Sequence, residues 1–328
     1  MATRTRYAPD RGLTVRMTAT MFLLGLVFVV FVGLIIGIMT AAHASGAAII
    51  LVALIFGGGS AFLSLFYSDK IALAAAGARE VSPQQAPELH GVVDRLCALA
   101  DMDKPRIAIA PTRMPNAFAT GRNSKNSVLC VTEGLLYHSN LTPEELEGVL
   151  AHELSHVAHK DVQVMTYASL LAIVAGLLVR FAFYSEIFGG GRRAGGNNGN
   201  AALLIPLIML ASAVVYAVSF LLIRLLSRYR ELAADRSGAL LTQNPSALIS
   251  ALTKVSQGMN RIPTQDLRSA EPLNAFYFAP AMKLTRGGGS KSLAEIFSTH
   301  PSLDKRIAQL TKIQRELGQT GPEPRGLR

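Results

Sequence analysis

Leu150–Asp161 reads L-A-H-E-L-S-H-V-A-H-K-D, in which His152, Glu153 and His156 form an H-E-x-x-H pattern. On an α-helix, side chains four apart share a face with Cβ atoms about 5–6 Å apart, so both imidazoles can reach one ion. Glu153 sits beside the first of them, placed to take a proton from a water that the ion activates. That is the chemistry of zinc-dependent hydrolysis. Five residues also match by coincidence in a long chain. The rest of the chain must therefore supply a helix, a further ligand and a common location for both.

The helix has a start signal. Thr142 suits the N-cap, Pro143 the first helical position, and Glu145 completes a capping box. Leu146, Val149 and Leu150 carry the helical period into the motif. A catalytic zinc takes three protein ligands and leaves one position open. His159 lies one turn past His156, and three histidines on one helix do not converge easily on a tetrahedral ion. Asp161 follows His156 too closely to fold back onto it. The next acid in a usable place is Glu231, in Arg228-Tyr229-Arg230-Glu231-Leu232-Ala233-Ala234-Asp235. Asp235, one turn on, can accept from a ligand imidazole and fix its tautomer, or be an exposed acid or a partner of Arg228.

Whether Glu231 can return to His152 depends on the apolar stretches between and before them. Half of the 328 residues are hydrophobic and only 16% are charged, with a positive mean hydropathy of +0.33. Four runs approach the ~20 residues needed to span a bilayer: about 17–42, 47–67, 162–184 and 201–226. The first could be a signal peptide, since Ala42-His43-Ala44 resembles a cleavage site, but its apolar run exceeds the usual ~7–15 residues, which favours a retained span. Arg4, Arg6, Arg11 and Arg16 precede it, whereas 42–46 carries no formal charge, so the N-terminus is expected on the cytoplasmic side. Four spans then return 68–161 and 227–328 to that side, and put the Gly/Asn-rich loop 185–200 outside. The expected organisation is 1–67, N-terminal segment and first two spans; 68–161, first half of a catalytic domain; 162–226, a membrane hairpin; and 227–328, its second half. The +10 net charge is scattered over the N-terminus, span ends and tail without a basic aromatic face, which argues against nucleic acid. Cys97 and Cys130 form no C-x-x-C and read as buried thiols.

Between the second span and the motif, a helix is expected from Ser82 to about Ala100, stopped by Pro105. Strands are expected at Arg106–Ala110, around Asn116–Gly121 and at Ser127–Thr132, as a small β-meander. Its Asn116-Ala117-Phe118-Ala119 stretch is either structural or an edge that pairs with an extended peptide.

Taken together, His152-Glu153-Leu154-Ser155-His156 and Glu231-Leu232-Ala233-Ala234-Asp235 resemble the HtpX-type membrane zinc metalloproteases, gluzincins related to the CAAX prenyl proteases. The likeness extends to Pro115–Gly121, to Thr132-Glu133-Gly134-Leu135-Leu136, and to Ser298-Thr299-His300-Pro301-Ser302-Leu303-Asp304-Lys305-Arg306-Ile307. It implies a mainly α, four-span membrane protein with a cytoplasmic α+β protease domain in the bacterial inner membrane, degrading misfolded membrane proteins. It also implies Zn2+ held by His152, His156 and Glu231, with Glu153 as general base. His300 is expected near the cleft, as an oxyanion stabiliser or merely a helix start, and Arg230 as a site cation or a membrane-surface arginine. Two other readings share these residues: a prenyl-protein endopeptidase, and a non-catalytic membrane adaptor with structural zinc. Segment 273–292, with three consecutive glycines, is a candidate lid. The pattern leaves oligomeric state open.

Overall fold

The computed structural model describes residues 11–41, 62, 66–67, 69–121, 124–188, 199–261 and 298–319. The candidate lid and most of the expected second span lie outside them. The chain forms two compact units. One comprises Met1–Thr14, Tyr67–Val162 and Ser227–Arg328; the other comprises Val15–Phe66 and Gln163–Leu226.

The second unit is built from apolar helices: most of α1 (Arg11–Ala41), α5 (Asp161–Phe188) after its first turn, and the first part of α6 (Gly199–Thr242). Among the described residues, Arg11–Leu34 and Pro206–Thr242 are long and apolar enough to cross a membrane, and Asp161–Gly176 is a shorter apolar helix. Phe22, Val29, Val30, Leu210 and Val214 are exposed, as lipid-facing side chains would be.

In the first unit, β1 (Arg79–Glu80), β2 (Arg106–Ala110), β3 (Ala117–Gly121) and β4 (Ser127–Thr132) form one sheet in the order β1-β2-β4-β3. This is not the expected meander, because β2 and β4 run parallel while β3 is antiparallel to β4. The chain leaves β2, crosses to the outer edge, makes β3, and hairpins back to place β4 in the interior. The reason is burial. All six residues of β4 are buried, so it takes a central position with both faces covered. Val128 and Cys130 face Ala72, Ala108, Ala110 and Phe118, whereas Leu129 and Val131 face the helices. Gly121 closes the hairpin at φ 130°, where an added Cβ would lie 2.2 Å from the Asn126 carbonyl oxygen.

The main core lies between the sheet and α2 (Pro87–Ala100), α4 (Pro143–Ala158), α7 (Pro245–Arg261) and α8 (Leu303–Gln319), with the short α3 (Glu133–His138) at the end of β4. Helix α2 begins at Pro87, five residues later than Ser82, because Ser82–Ala86 closes into turns with Ser82 accepting from the Gln85 and Ala86 N–H groups. In α4 the capping box is complete: Glu145 N–H donates to Thr142 Oγ1 at 3.3 Å, and Thr142 N–H to Glu145 Oε2 at 2.8 Å.

Candidate active site

Two helices meet at the site, and each offers residues four apart. Helix α4 presents His152 and His156; α6 presents Glu231 and Asp235. They approach closely because position 238 is glycine, where a Cβ would lie 2.9 Å from the His152 backbone nitrogen. His156 Nε2 lies 3.4 Å from Glu231 Oε1, and His152 Nε2 lies 3.7 Å from Glu231 Oε2. One ligand atom from each of the three residues falls within 4.8 Å of the others. With zinc–ligand bonds of ~2.0–2.1 Å, the edges of a tetrahedron are ~3.3 Å, so this donor set fits a zinc ion. Beside them His300 Nδ1 lies 3.0 Å from Glu231 Oε2, and the buried His300 Nε2 has no hydrogen-bond partner among the described residues.

Behind each imidazole stands an aspartate, and behind each aspartate an arginine. His152 Nδ1 lies 2.9 Å from Asp235 Oδ1. Asp235 is gripped in turn by Arg306, whose Nε donates to Oδ2 at 2.8 Å and whose Nη2 donates to Oδ1 at 2.6 Å. His156 Nδ1 lies 2.5 Å from Asp161 Oδ2, and Arg230 Nη2 lies 2.9 Å from the same oxygen. With Nδ1–H donating to a carboxylate, each Nε2 keeps its lone pair for a metal. Asp161 therefore does fold back, although onto the far nitrogen of His156 and not onto the ion. Helix α4 ends at Ala158, and Lys160, at φ 56°, turns the chain so that Asp161 opens the next helix. His159 faces away from the three ligands, with Nε2 3.4 Å from Ser237 Oγ.

The electrostatics follow from burial. Burial drives the Glu153 carboxyl up, Glu231 nearby adds to it, and the pKa reaches about 8 despite a hydrogen bond from the Ala119 N–H. Burial also lowers the His152 imidazole, outweighing Asp235. For His156 burial is overcome by the Asp161 hydrogen bond and the surrounding carboxylates, so its pKa rises. Glu231 is held well below the usual carboxylate range: burial opposes this, but His300, His156 and His152 prevail. Asp235 is lowered too, burial being outweighed by Arg306 and His152.

The remaining expected residues divide. Glu153 is buried beside β3. Asn116 is buried, and its carbonyl accepts from the Thr132 N–H. In an antiparallel pair every second residue bonds the partner strand, so Phe118 points its backbone groups at β4 while Ala117 and Ala119 point theirs outward. The Ala117 and Ala119 side chains pack towards the core and that of Phe118 packs on the opposite face. His300 Nδ1 lies 3.0 Å from Glu231 Oε2. Arg230 is on Asp161. Arg306, to which sequence reasoning assigned no role, is almost fully buried. It had a signal: on α8 it occupies the same stripe as the buried Leu310 and Ile313, where an apolar residue would be expected.

An H-E-x-x-H helix joined by a distant glutamate, with a buried carboxyl beside them, offers the donor set of a metallopeptidase. Comparison with known proteins agrees. The profile of peptidase family M48 matches residues 83–314. Protease HtpX homolog 1 of Streptomyces coelicolor is 54% identical, with 98% of this chain and 99% of the relative covered. A protease HtpX homolog of Moorella thermoacetica is 48% identical, with 96% and 98% covered. The crystal structure of Ste24p from S. mikatae is similar at TM-score 0.45 and 15% identity, over 92% of this chain and 66% of that one. The chain belongs to peptidase family M48 and is a metalloprotease.

Proposed function

We propose that the protein is a membrane-embedded zinc endopeptidase that cleaves misfolded or damaged membrane proteins. The observation that carries the proposal is the convergence of His152, His156 and Glu231 on one point with Glu153 buried alongside. Those three residues would hold zinc, which would supply an acidified water and a polarised carbonyl. Glu153 takes the proton of the attacking water and passes it to the leaving amine. Asp235 and Arg306 hold the tautomer of His152. His300, whose Nδ1 lies 3.0 Å from Glu231 and whose Nε2 has no hydrogen-bond partner among the described residues, is the candidate donor to the developing oxyanion.

An extended substrate adds to the outer edge of β3 and uses the backbone groups of Ala117 and the carbonyl of Ala119, the Ala119 N–H being already donated to Glu153. Such pairing reads main chain more than sequence, which suits a protease acting on damaged chains of many kinds. The apolar helices are read as four spans, with both termini and the metal site on the cytoplasmic side. This rests on the N-terminal arginines and the hydropathy of α1 and α6.

Detergent-purified wild-type protein should hold about one zinc per chain and cleave casein and a denatured membrane protein, whereas Glu231→Ala should lose both metal and cleavage. A wild-type protein that holds zinc but cleaves neither substrate would refute the proteolytic reading.

A further inference from the structure

We propose that Asp161 and Arg230 act as a pair of positioning residues for His156: Asp161 fixes the ring through Nδ1, and Arg230 fixes Asp161. This rests on the metal-site reading above. Nothing in the H-E-x-x-H or E-x-x-x-D patterns includes either residue. Asp161 lies outside the motif by five residues, and Arg230 precedes Glu231 by one.

Three observations converge. The first is distance. Asp161 Oδ2 lies 2.5 Å from His156 Nδ1 and 2.9 Å from Arg230 Nη2, so one oxygen serves both partners. The second is burial: the Asp161 side chain is 1% exposed and that of Arg230 13%. A buried carboxylate needs cations and donors to offset its desolvation, and Arg230 and His156 are the two that reach Asp161 Oδ2. As the first residue of α5, Asp161 also sits at the positive end of a helix dipole. The third is the chain path. Lys160 adopts a left-handed conformation, φ 56°, at the break between two helices. That conformation is disfavoured for an L-residue, and it is what turns the Asp161 carboxylate back to the ring it follows.

The outcome is a second Asp–Arg brace, matching the one that Asp235 and Arg306 give His152. The two braces come from different parts of the chain. Arg306 enters from the C-terminal helix α8. Asp161 and Arg230 belong to α5 and α6, the two apolar helices that the chain enters and leaves on either side of the Gly/Asn-rich loop. The alignment of His156 therefore depends on one ion pair between the first residue of α5 and the polar stretch of α6 that follows its apolar part.

The test is metal affinity, measured on full-length protein in detergent after stripping with chelator. Zinc dissociation constants come from competition with a chromophoric chelator, and Co2+-loaded protein reports ligand geometry through its visible spectrum. Asp161→Ala should weaken zinc binding about 10–100-fold and alter the Co2+ spectrum, as loss of an outer carboxylate does at histidine-ligated metals. Asp161→Asn keeps an oxygen acceptor without the charge and should fall between, at about 3–10-fold. Arg230→Gln should weaken zinc about 3–10-fold in the wild-type background and less than about twofold beside Asp161→Asn, because it acts through Asp161. Arg230→Lys should restore most of the loss. If Asp161→Ala does not fold, the Asp161→Asn and Arg230→Gln cycle carries the test alone.

Dissociation constants for Asp161→Asn and Arg230→Gln both within about twofold of wild type would overturn the proposal. So would an Arg230→Gln effect undiminished beside Asp161→Asn. The measurements need no substrate, so a protein that binds zinc but cleaves nothing would sink the protease reading and leave this one standing.

Discussion

Replacing Glu153 by glutamine tests the link between metal and base most directly. The carboxyl is buried beside Glu231, and without metal its pKa rises to about 8. At pH 7 it is therefore about nine-tenths protonated, which is the wrong state for a general base. A doubly charged ion ~5 Å away, at an effective dielectric of ~20, favours the carboxylate by about 6–7 kcal/mol, close to five pKa units. Metal binding should thus drive the pKa well below neutrality and expel about 0.9 proton from Glu153 at pH 7. The base is made competent by the ion it works beside. The sign follows: the proton must leave for metal to bind, so zinc affinity should fall as pH drops below about 8, with Glu153 contributing almost one power of ten per pH unit.

Titration calorimetry of metal-stripped protein, in buffers of different ionisation enthalpy, counts the protons released per zinc. His156, whose pKa is also raised, adds its own proton to both proteins, so the difference isolates Glu153. Glu153→Gln should release about 0.9 proton fewer at pH 7 while holding the same zinc stoichiometry. Its kcat should fall by about 10²–10⁴. Equal proton counts in the two proteins would refute the electrostatic argument. Undiminished cleavage of a denatured membrane protein would refute the role of Glu153 as base.

Other perturbations have more local outcomes. Gly238→Ala puts a Cβ 2.9 Å from the His152 backbone nitrogen, which should cost about 1–3 kcal/mol by overpacking and lower zinc occupancy; thermal unfolding and metal analysis of one preparation check both. Arg306→Met leaves the fully buried Asp235 carboxylate without its bidentate partner, a loss of about 3–5 kcal/mol. A midpoint of thermal unfolding equal to wild type would show that Asp235 is satisfied elsewhere. Glu145 is held below the usual carboxylate range, burial being outweighed by Lys254, Ser250 and the Thr142 N–H. Its contribution is therefore present above the unfolded-state pKa and lost as pH falls through the lower folded-state value. Glu145→Gln should cost about 1 kcal/mol at pH 7, and the gap to wild type should close in acid, as denaturant titrations at several pH values would show.

The sequence reading succeeds where contacts are local or repeat at helical spacing. His152 and His156 are legible because four residues on a helix bring two side chains to one face. Thr142 and Glu145 are legible because a capping box is written within four positions. Glu231 was reached at longer range by elimination, as the next acid after the two apolar stretches that follow the motif, and its Oε1 lies 3.4 Å from His156 Nε2. The order of the strands was not legible, since the parallel pairing of β2 with β4 depends on which strand is buried on both faces, and alternation alone does not rank the three. The contact of Asp161 with the far nitrogen of His156 was not legible either, because it depends on a turn at a single left-handed residue, Lys160.

Arg306 shows how such a residue can be found. Its partner Asp235 is 71 residues away, too far for any spacing rule, yet it stands among the apolar positions of α8 with Leu310 and Ile313. A charge on a buried stripe must meet an opposite charge inside, or the helix would not dock. In the structure that charge is Asp235, both of whose oxygens accept from Arg306. Read this way, the site comprises more than an ion and its three ligands. It is a set of charges that are each tolerable only in the presence of the others. In the proposed reading a bound metal would supply the positive charge that makes Glu153 a base, while Arg306 and Arg230 offset the buried charges of Asp235 and Asp161, whose oxygens lie on the rings of His152 and His156.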